Sequence, residues 1–230
     1  MSDCTNRSDE AVAPSHKSTA PSCTHSSMVF YASIVCALLF GMPHRAISRP
    51  VSYPGGWTIM QKNNVNHSLH IHYSPTAYYS IGYIGMYSRT MPSWQGAQLN
   101  YLVKRWNTRH SQANIYLKSG LGVMAQRNPR VSGFSGIAVD WETRRYFASY
   151  DNRLDTIGAT LHVEHDTRLG IAPYLGSYGD WHTWLMVTVH YDSHAPPKLT
   201  PLIRVFKSGY LLECGLTPDG DVLVNSIIRL

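Results

Sequence analysis

The chain has 230 residues, of which only 15% are charged, where an ordinary soluble domain carries about a quarter. Its formal charge is +6, but the basic residues are scattered singly or in pairs such as Arg144–Arg145. The absence of a polybasic block argues against a nucleic-acid partner. With 15 Tyr, 6 Trp and a mean hydropathy of −0.21, the composition suits a membrane barrel, in which outward apolar and inward polar residues average out.

Residues 1–48 differ from the rest. Met1 to Ser27 is a Ser/Thr-rich tract without periodicity and reads as disordered. Val29 to Met42 (VFYASIVCALLFGM) is an apolar run of fourteen residues. A transmembrane helix needs about 20, whereas this length suits the hydrophobic region of a secretory signal. Ala46 is a candidate cleavage point and Met28 a second candidate start, so the leader reads as removable; a helix or anchor is the alternative. Cys4, Cys23 and Cys36 lie in this leader, which leaves Cys214 alone in residues 49–230 and implies no disulfide framework.

From Val65 the chain is written in period two. In Leu69–His70–Ile71–His72–Tyr73–Ser74 odd positions are apolar and even positions polar. Such alternation describes a strand with one apolar and one polar face. Twelve strands are predicted in chain order, beginning with Val65–Ser74, Thr76–Ser88, Ala97–Asn107, Gln112–Ala125, Gly133–Glu142 and Arg145–Asp151. The others are Thr156–Glu164, Arg168–Gly176, Asp180–Tyr191, Leu199–Lys207, Tyr210–Thr217 and Asp221–Leu230. Connections such as Lys207–Ser208–Gly209 and Thr217–Pro218–Asp219–Gly220 suit hairpins and leave no room for crossover helices. The expected fold is all-β: an antiparallel up-and-down transmembrane barrel of 10–12 strands as a single domain over residues 49–230. Trp57–Lys62 is left over, as a lumen plug or as the replacement for a strand wrongly split elsewhere.

The apolar face runs through Leu69, Ile71, Tyr83, Leu99, Leu117, Leu185, Ile203 and Val222, with Tyr73, Trp181 and Tyr210 near strand ends as in the aromatic belts of membrane proteins. The opposite face carries His70, His72, Lys104, Asn114, Lys118, Arg145, His182, Arg204, Glu213, Asn225 and Arg229. Mixed Arg, carboxylate and amide suggest a confined, mildly basic interior in which charges find partners. The last strand ends flush with Leu230 and resembles the C-terminal strand that the barrel-assembly machinery reads, although that strand generally ends in an aromatic.

The chain resembles a group of proteobacterial outer-membrane proteins, some of them encoded beside copper and other metal-resistance genes. The resembling stretches include Pro54–Gly55–Gly56–Trp57, His70–Ile71–His72–Tyr73–Ser74–Pro75–Thr76, Gln112–Ala113–Asn114–Ile115–Tyr116–Leu117–Lys118 and Asp140–Trp141–Glu142–Thr143–Arg144–Arg145–Tyr146. The resemblance implies an outer-membrane location, a barrel in contact with outer-membrane lipids, and a faint association with metals. The group's acidic residue expected near Gly85–Met86 is missing here.

For metal binding, period two places His70 and His72 on one face, with His162 and Glu164 sharing it. Imidazole suits Cu or Zn and a carboxylate can complete a site, but lumenal histidines also serve simply as hydrogen-bond partners. Inward Lys and Arg would favour small anions in a pore, or pair with Glu164 and Glu213 and support the barrel. No catalytic constellation stands out. His67 and Ser68 point to opposite faces, and Asp140–Trp141–Glu142 beside Arg144–Arg145 reads as a salt-bridged turn. The sequence thus suggests a porin-like or structural outer-membrane protein and no enzyme. A soluble periplasmic β protein holding a small ligand or metal is the alternative, with an outer-membrane hydrolase behind it.

Overall fold

The computed structural model describes residues 49–63, 67–87, 92–125, 129–157, 160–177 and 179–230. The apolar run 29–42, the three leader cysteines and Ala46 lie outside the described residues. Twelve strands follow in order: β1 (Gly56–Asn63), β2 (His67–Ser74), β3 (Tyr79–Tyr87), β4 (Trp94–Asn107), β5 (Ser111–Met124), β6 (Arg130–Thr143), β7 (Tyr146–Ile157), β8 (Thr160–Ile171), β9 (His182–Asp192), β10 (Ala195–Lys207), β11 (Tyr210–Leu216) and β12 (Val222–Arg229). Each pairs with its sequence neighbours, and β12 returns to β1 to close the barrel. The closing register runs from Thr58 opposite Arg229 to Asn63 opposite Val224. Trp57 and Leu230 add two reciprocal backbone hydrogen bonds of 2.9 and 3.0 Å. Closure leaves no strand edge unpaired.

Trp57–Lys62 is therefore not left over but belongs to the first strand. The count stays even because Arg145–Asp151, Thr156–Glu164 and Arg168–Gly176 fold as two strands, β7 and β8, rather than three. The sequence misleads here because Asp151–Asn152–Arg153 and Asp166–Thr167–Arg168 look like turns. In the barrel they are mid-strand, with Asp151, Arg153, Asp166 and Arg168 directed inward to charged partners. The turn at Thr217–Pro218–Asp219–Gly220 forms as its residues dictate. Gly220 N donates to Thr217 O at 3.0 Å, Pro218 sets the φ of the first central position, and Gly220 takes a φ of +87° that favours glycine.

The two faces differ sharply. Leu99, Ile137, Leu169, Leu185 and Ile203 point outward and are 44–55% exposed. Inside, the side chains fill the barrel. Near the end that carries Leu230, one apolar cluster joins Val51, Leu102 and Tyr116. A larger one joins Ala172, Trp184, Met186, Leu202 and Leu223. At the opposite end Ile84, Trp94, Met124 and Phe134 pack together. Phe134 lies against Gly120, where an added Cβ would sit 2.2 Å from the ring. Arg153 also lies over the Phe134 ring, with its guanidinium carbon 3.8 Å from the centroid. Between these apolar layers lies a band of charged and hydrogen-bonded groups.

Candidate functional site

The segment before β1 enters the barrel. Arg49 is 5% exposed; its Nη2 donates to Glu142 Oε1 at 2.7 Å, and its Nε lies 3.6 Å from Asp140 Oδ1. The Arg49 carbonyl accepts from Arg229 Nη2 at 2.7 Å, and the Pro50 carbonyl accepts from Ser80 Oγ at 2.7 Å. Val51 packs on Leu102 and Tyr116, and Ser52 N donates to Ser74 Oγ at 2.9 Å. Residues 49–52 thus form a strap across the interior at the end carrying Leu230. Asp140 and Glu142 face this strap, while Arg144 and Arg145 are exposed beyond them. The expected salt-bridged turn is replaced by pairing to a cation about ninety residues away in sequence.

Deeper in, Glu213 is the hub of the polar band. This residue is 2% exposed and accepts from Arg204 Nε at 2.7 Å, Arg168 Nη1 at 3.1 Å and Asn225 Nδ2 at 2.7 Å. Three strands (β10, β11 and β12) place Arg204, Glu213 and Asn225 in consecutive register, and β8 supplies Arg168. Lys118 pairs with Asp151 and Arg153 forms a bidentate pair with Asp155. His70 Nδ1 meets Gln98 Oε1 at 3.2 Å, and His72 Nδ1 meets Asn100 Nδ2 at 3.2 Å. His182 stacks on Phe206 with ring centroids 4.8 Å apart, and Asn114 donates to Asp140 Oδ1 at 2.6 Å.

Two of the residues read from the sequence as inward do not join this network. A β-bulge between Leu102 and Lys104 sets Lys104 opposite Ile115, so Lys104 is exposed. The bulge adds one residue and flips the faces beyond it, and Arg105 turns inward instead to donate to Asn114 Oδ1 at 2.7 Å. Arg145 lies in the connection between β6 and β7 and is exposed. The interior is consequently not mildly basic. Asp140, Glu142, Asp151, Asp155, Asp166 and Glu213 each have a cationic or His partner inside. Much of the positive surplus sits outside, on Lys104, Arg109, Arg130, Arg144, Arg145 and Lys207, all exposed.

Comparison with protein-family models, curated proteins and solved structures finds no match for this chain.

Among the described residues, cavities follow one another along the interior, and three bear on the site. The first, of about 390 Å³, lies beside Arg49, Glu142, His182 and Arg204. The second, of about 120 Å³, is lined by Lys62, His70, His72, Tyr116, Arg168 and Asn225 among others. The third, of about 110 Å³, shares Lys62, His70, Lys118 and Asp166 with the second and adds Arg153 and Glu164. The central cavity is lined by polar atoms with nothing to bond. His72 Nε2, Tyr116 Oη and Asn225 Oδ1 are buried without a hydrogen-bond partner among the described residues. A buried polar atom left unpaired costs about 1–3 kcal/mol, so water or another polar group in this chamber would relieve that cost.

The four residues read as metal ligands do not converge. His70 and His72 are held by Gln98 and Asn100, whereas His162 and Glu164 meet Asp192, which the sequence reading missed. His162-x-Glu164 was legible because period two puts both on one face. Asp192 comes to them only through the β8–β9 register, which sets it opposite Glu164.

Proposed function

We propose that this protein is an outer-membrane β-barrel whose narrow, side-chain-lined interior takes up small polar solutes, small anions in particular. The observation that carries the location is the inversion of the two faces. Large Leu, Ile and Val side chains point outward all round the barrel, while the carboxylates and guanidinium groups pair inside. A belt of that extent facing water would far exceed the few hundred Å² of apolar patch that soluble monomers show. Hydrocarbon is the solvent in which it is satisfied. Exposed Trp57, Tyr78, Trp106, Trp141, Tyr146 and Trp181 lie toward the Leu230 end, where an aromatic belt at the headgroups would be expected.

The solute class follows from the central chamber. Lys62 lines it and has no ion pair among the described residues, and two guanidinium groups share the single Glu213 carboxylate. That lone Lys62 ammonium, beside buried polar atoms without partners in an interior otherwise balanced in charge, is an arrangement that suits a small anion.

Two measurements test the reading. The folded protein is expected in the membrane fraction, with gel migration that changes on boiling; a protein that stays soluble without detergent overturns it. Leu117 stands near the middle of β5 and is 48% exposed. Leu117→Arg is expected to destabilise the vesicle-embedded barrel by about 2–4 kcal/mol, the cost of a cation near the bilayer midplane. On a water-exposed face the same change would stay within about 0.5 kcal/mol, and a loss that small in urea unfolding would reject the lipid contact.

A further inference from the structure

The barrel end opposite Leu230 carries a group of side chains that the solute reading does not use. His162, on β8, is 2% exposed, and its Nε2 faces two carboxylates. Glu164 Oε1 lies 3.2 Å away and Asp192 Oδ2 3.6 Å away, and the three ligand atoms all lie within 4.8 Å of one another. The other ring nitrogen, Nδ1, lies 3.3 Å from Ser193 Oγ. With Nδ1–H donating to that hydroxyl, the Nε2 lone pair is turned toward the two carboxylates, the orientation that outer hydrogen bonds impose on metal-binding histidines.

Charge gives an independent argument. Glu164 and Asp192 stand directly opposite each other in the β8–β9 register, and like charges so placed are destabilising. No Lys or Arg among the described residues pairs with either of them. The nearest candidate by register, Arg153 opposite Glu164, is committed to Asp155 through contacts of 2.7–3.0 Å. Asp192 Oδ1 accepts the backbone N–H of His194 at 2.7 Å, which leaves Oδ2 turned to His162. The tight β9–β10 hairpin and the β8–β9 ladder fix both carboxylates in place.

We infer that His162, Glu164 and Asp192 form a binding site for a divalent transition-metal ion, Zn²⁺ foremost, at the barrel mouth opposite Leu230. Around a tetrahedral ion with bonds of about 2.0–2.1 Å, neighbouring ligand atoms stand about 3.3 Å apart, close to the 3.2 and 3.6 Å between Nε2 and the two oxygens. One imidazole with two carboxylates selects a borderline ion over Ca²⁺ or Mg²⁺, which need more oxygens. A fourth position remains for water. The His194 ring stacks on His162 with centroids 5.2 Å apart and is exposed, so it covers the ligand from the outside. Because Glu164 also lines the 110 Å³ cavity, the ion would sit beside the interior path.

The site depends on the folded barrel and not on its solute, so it can stand or fall separately from the proposed function. The test is calorimetric titration of the full chain, folded in detergent, with Zn²⁺. A variant with Cys4, Cys23 and Cys36 changed to Ser removes leader thiols as competing ligands. One equivalent is expected to bind in both, and His162→Gln and Asp192→Asn should each weaken it at least tenfold. His70→Ala/His72→Ala should leave it unchanged. Heat-modifiable migration shows that each variant is folded, and bound Zn²⁺ should raise the urea midpoint of wild type but not of Asp192→Asn, since the ion ties β8 to β9 only in the folded state. Absence of Zn²⁺ binding to wild type, or equal binding by His162→Gln and Asp192→Asn, overturns the site. Loss on changing His70 and His72 assigns the ion to them instead and likewise overturns it.

Discussion

Arg49→Ala is expected to raise the single-channel conductance of the barrel several-fold in planar bilayers and to shift its selectivity toward cations. Arg49 holds the strap of residues 49–52 in the interior through Glu142 at 2.7 Å and Asp140 at 3.6 Å. Its side chain also lines the 390 Å³ cavity. Removing the guanidinium leaves two facing carboxylates without their cation, so the strap loses its anchor and the vestibule becomes negative. Where a partly buried pair is broken from one side, the remaining charge commonly costs about 3–5 kcal/mol. Arg49→Lys keeps the charge but not the fork geometry and should fall between wild type and Arg49→Ala. Asp140→Asn with Glu142→Gln releases the same anchor from the other side and should also open the lumen, but without cation preference. Equal conductance in wild type and Arg49→Ala would show that the strap does not gate the barrel.

The strap is also where sequence reasoning fails most plainly. Arg49–Pro50–Val51 has no periodicity, and its partners Asp140 and Glu142 lie more than ninety positions on. Nothing local announces such a contact. Within the strands the sequence is far more legible. Leu69, Leu99, Leu117, Leu185 and Ile203 point outward as their parity predicts, because a strand inverts its faces at every residue. The errors have identifiable causes. A polar interior makes Asp151–Asn152–Arg153 look like a turn, since charge at a strand centre is rare in soluble sheets but ordinary in a lumen. One extra residue at the β4 bulge changes the face of Lys104, and no residue near it marks the insertion. Register is the third gap. Parity places His162 and Glu164 together, but only the β8–β9 alignment brings Asp192 to them. Pairings across strands thus decide the site, while patterns along strands decide the fold.

Glu213→Ala is the substitution expected to damage stability most, lowering it by about 3–5 kcal/mol. The carboxylate is 2% exposed and answers two guanidinium groups, Arg204 at 2.6–2.7 Å and Arg168 at 3.1 Å, as well as the Asn225 amide at 2.7 Å. Without it Arg168 and Arg204 repel across the gap, and Asn225 loses the acceptor for its Nδ2, while its Oδ1 is already unpaired. Arg204 keeps its place over the Phe147 ring, 4.7 Å from the centroid, but no carboxylate within ion-pair distance among the described residues. Urea unfolding of the vesicle-embedded barrel, followed by tryptophan fluorescence, should therefore show a clearly lower midpoint. The physical cause is separable from simple loss of volume. In a variant carrying Glu213→Leu, Arg168→Met and Arg204→Met together, no guanidinium is left without its carboxylate, and most of the lost stability should return because replacing a whole buried ionic group by apolar side chains is often neutral or favourable. A loss below about 1 kcal/mol in Glu213→Ala, or no recovery in the triple variant, would mean that the two arginines find water or other acceptors when Glu213 is gone. The polar band would then be a hydrated passage rather than a network tied together at Glu213.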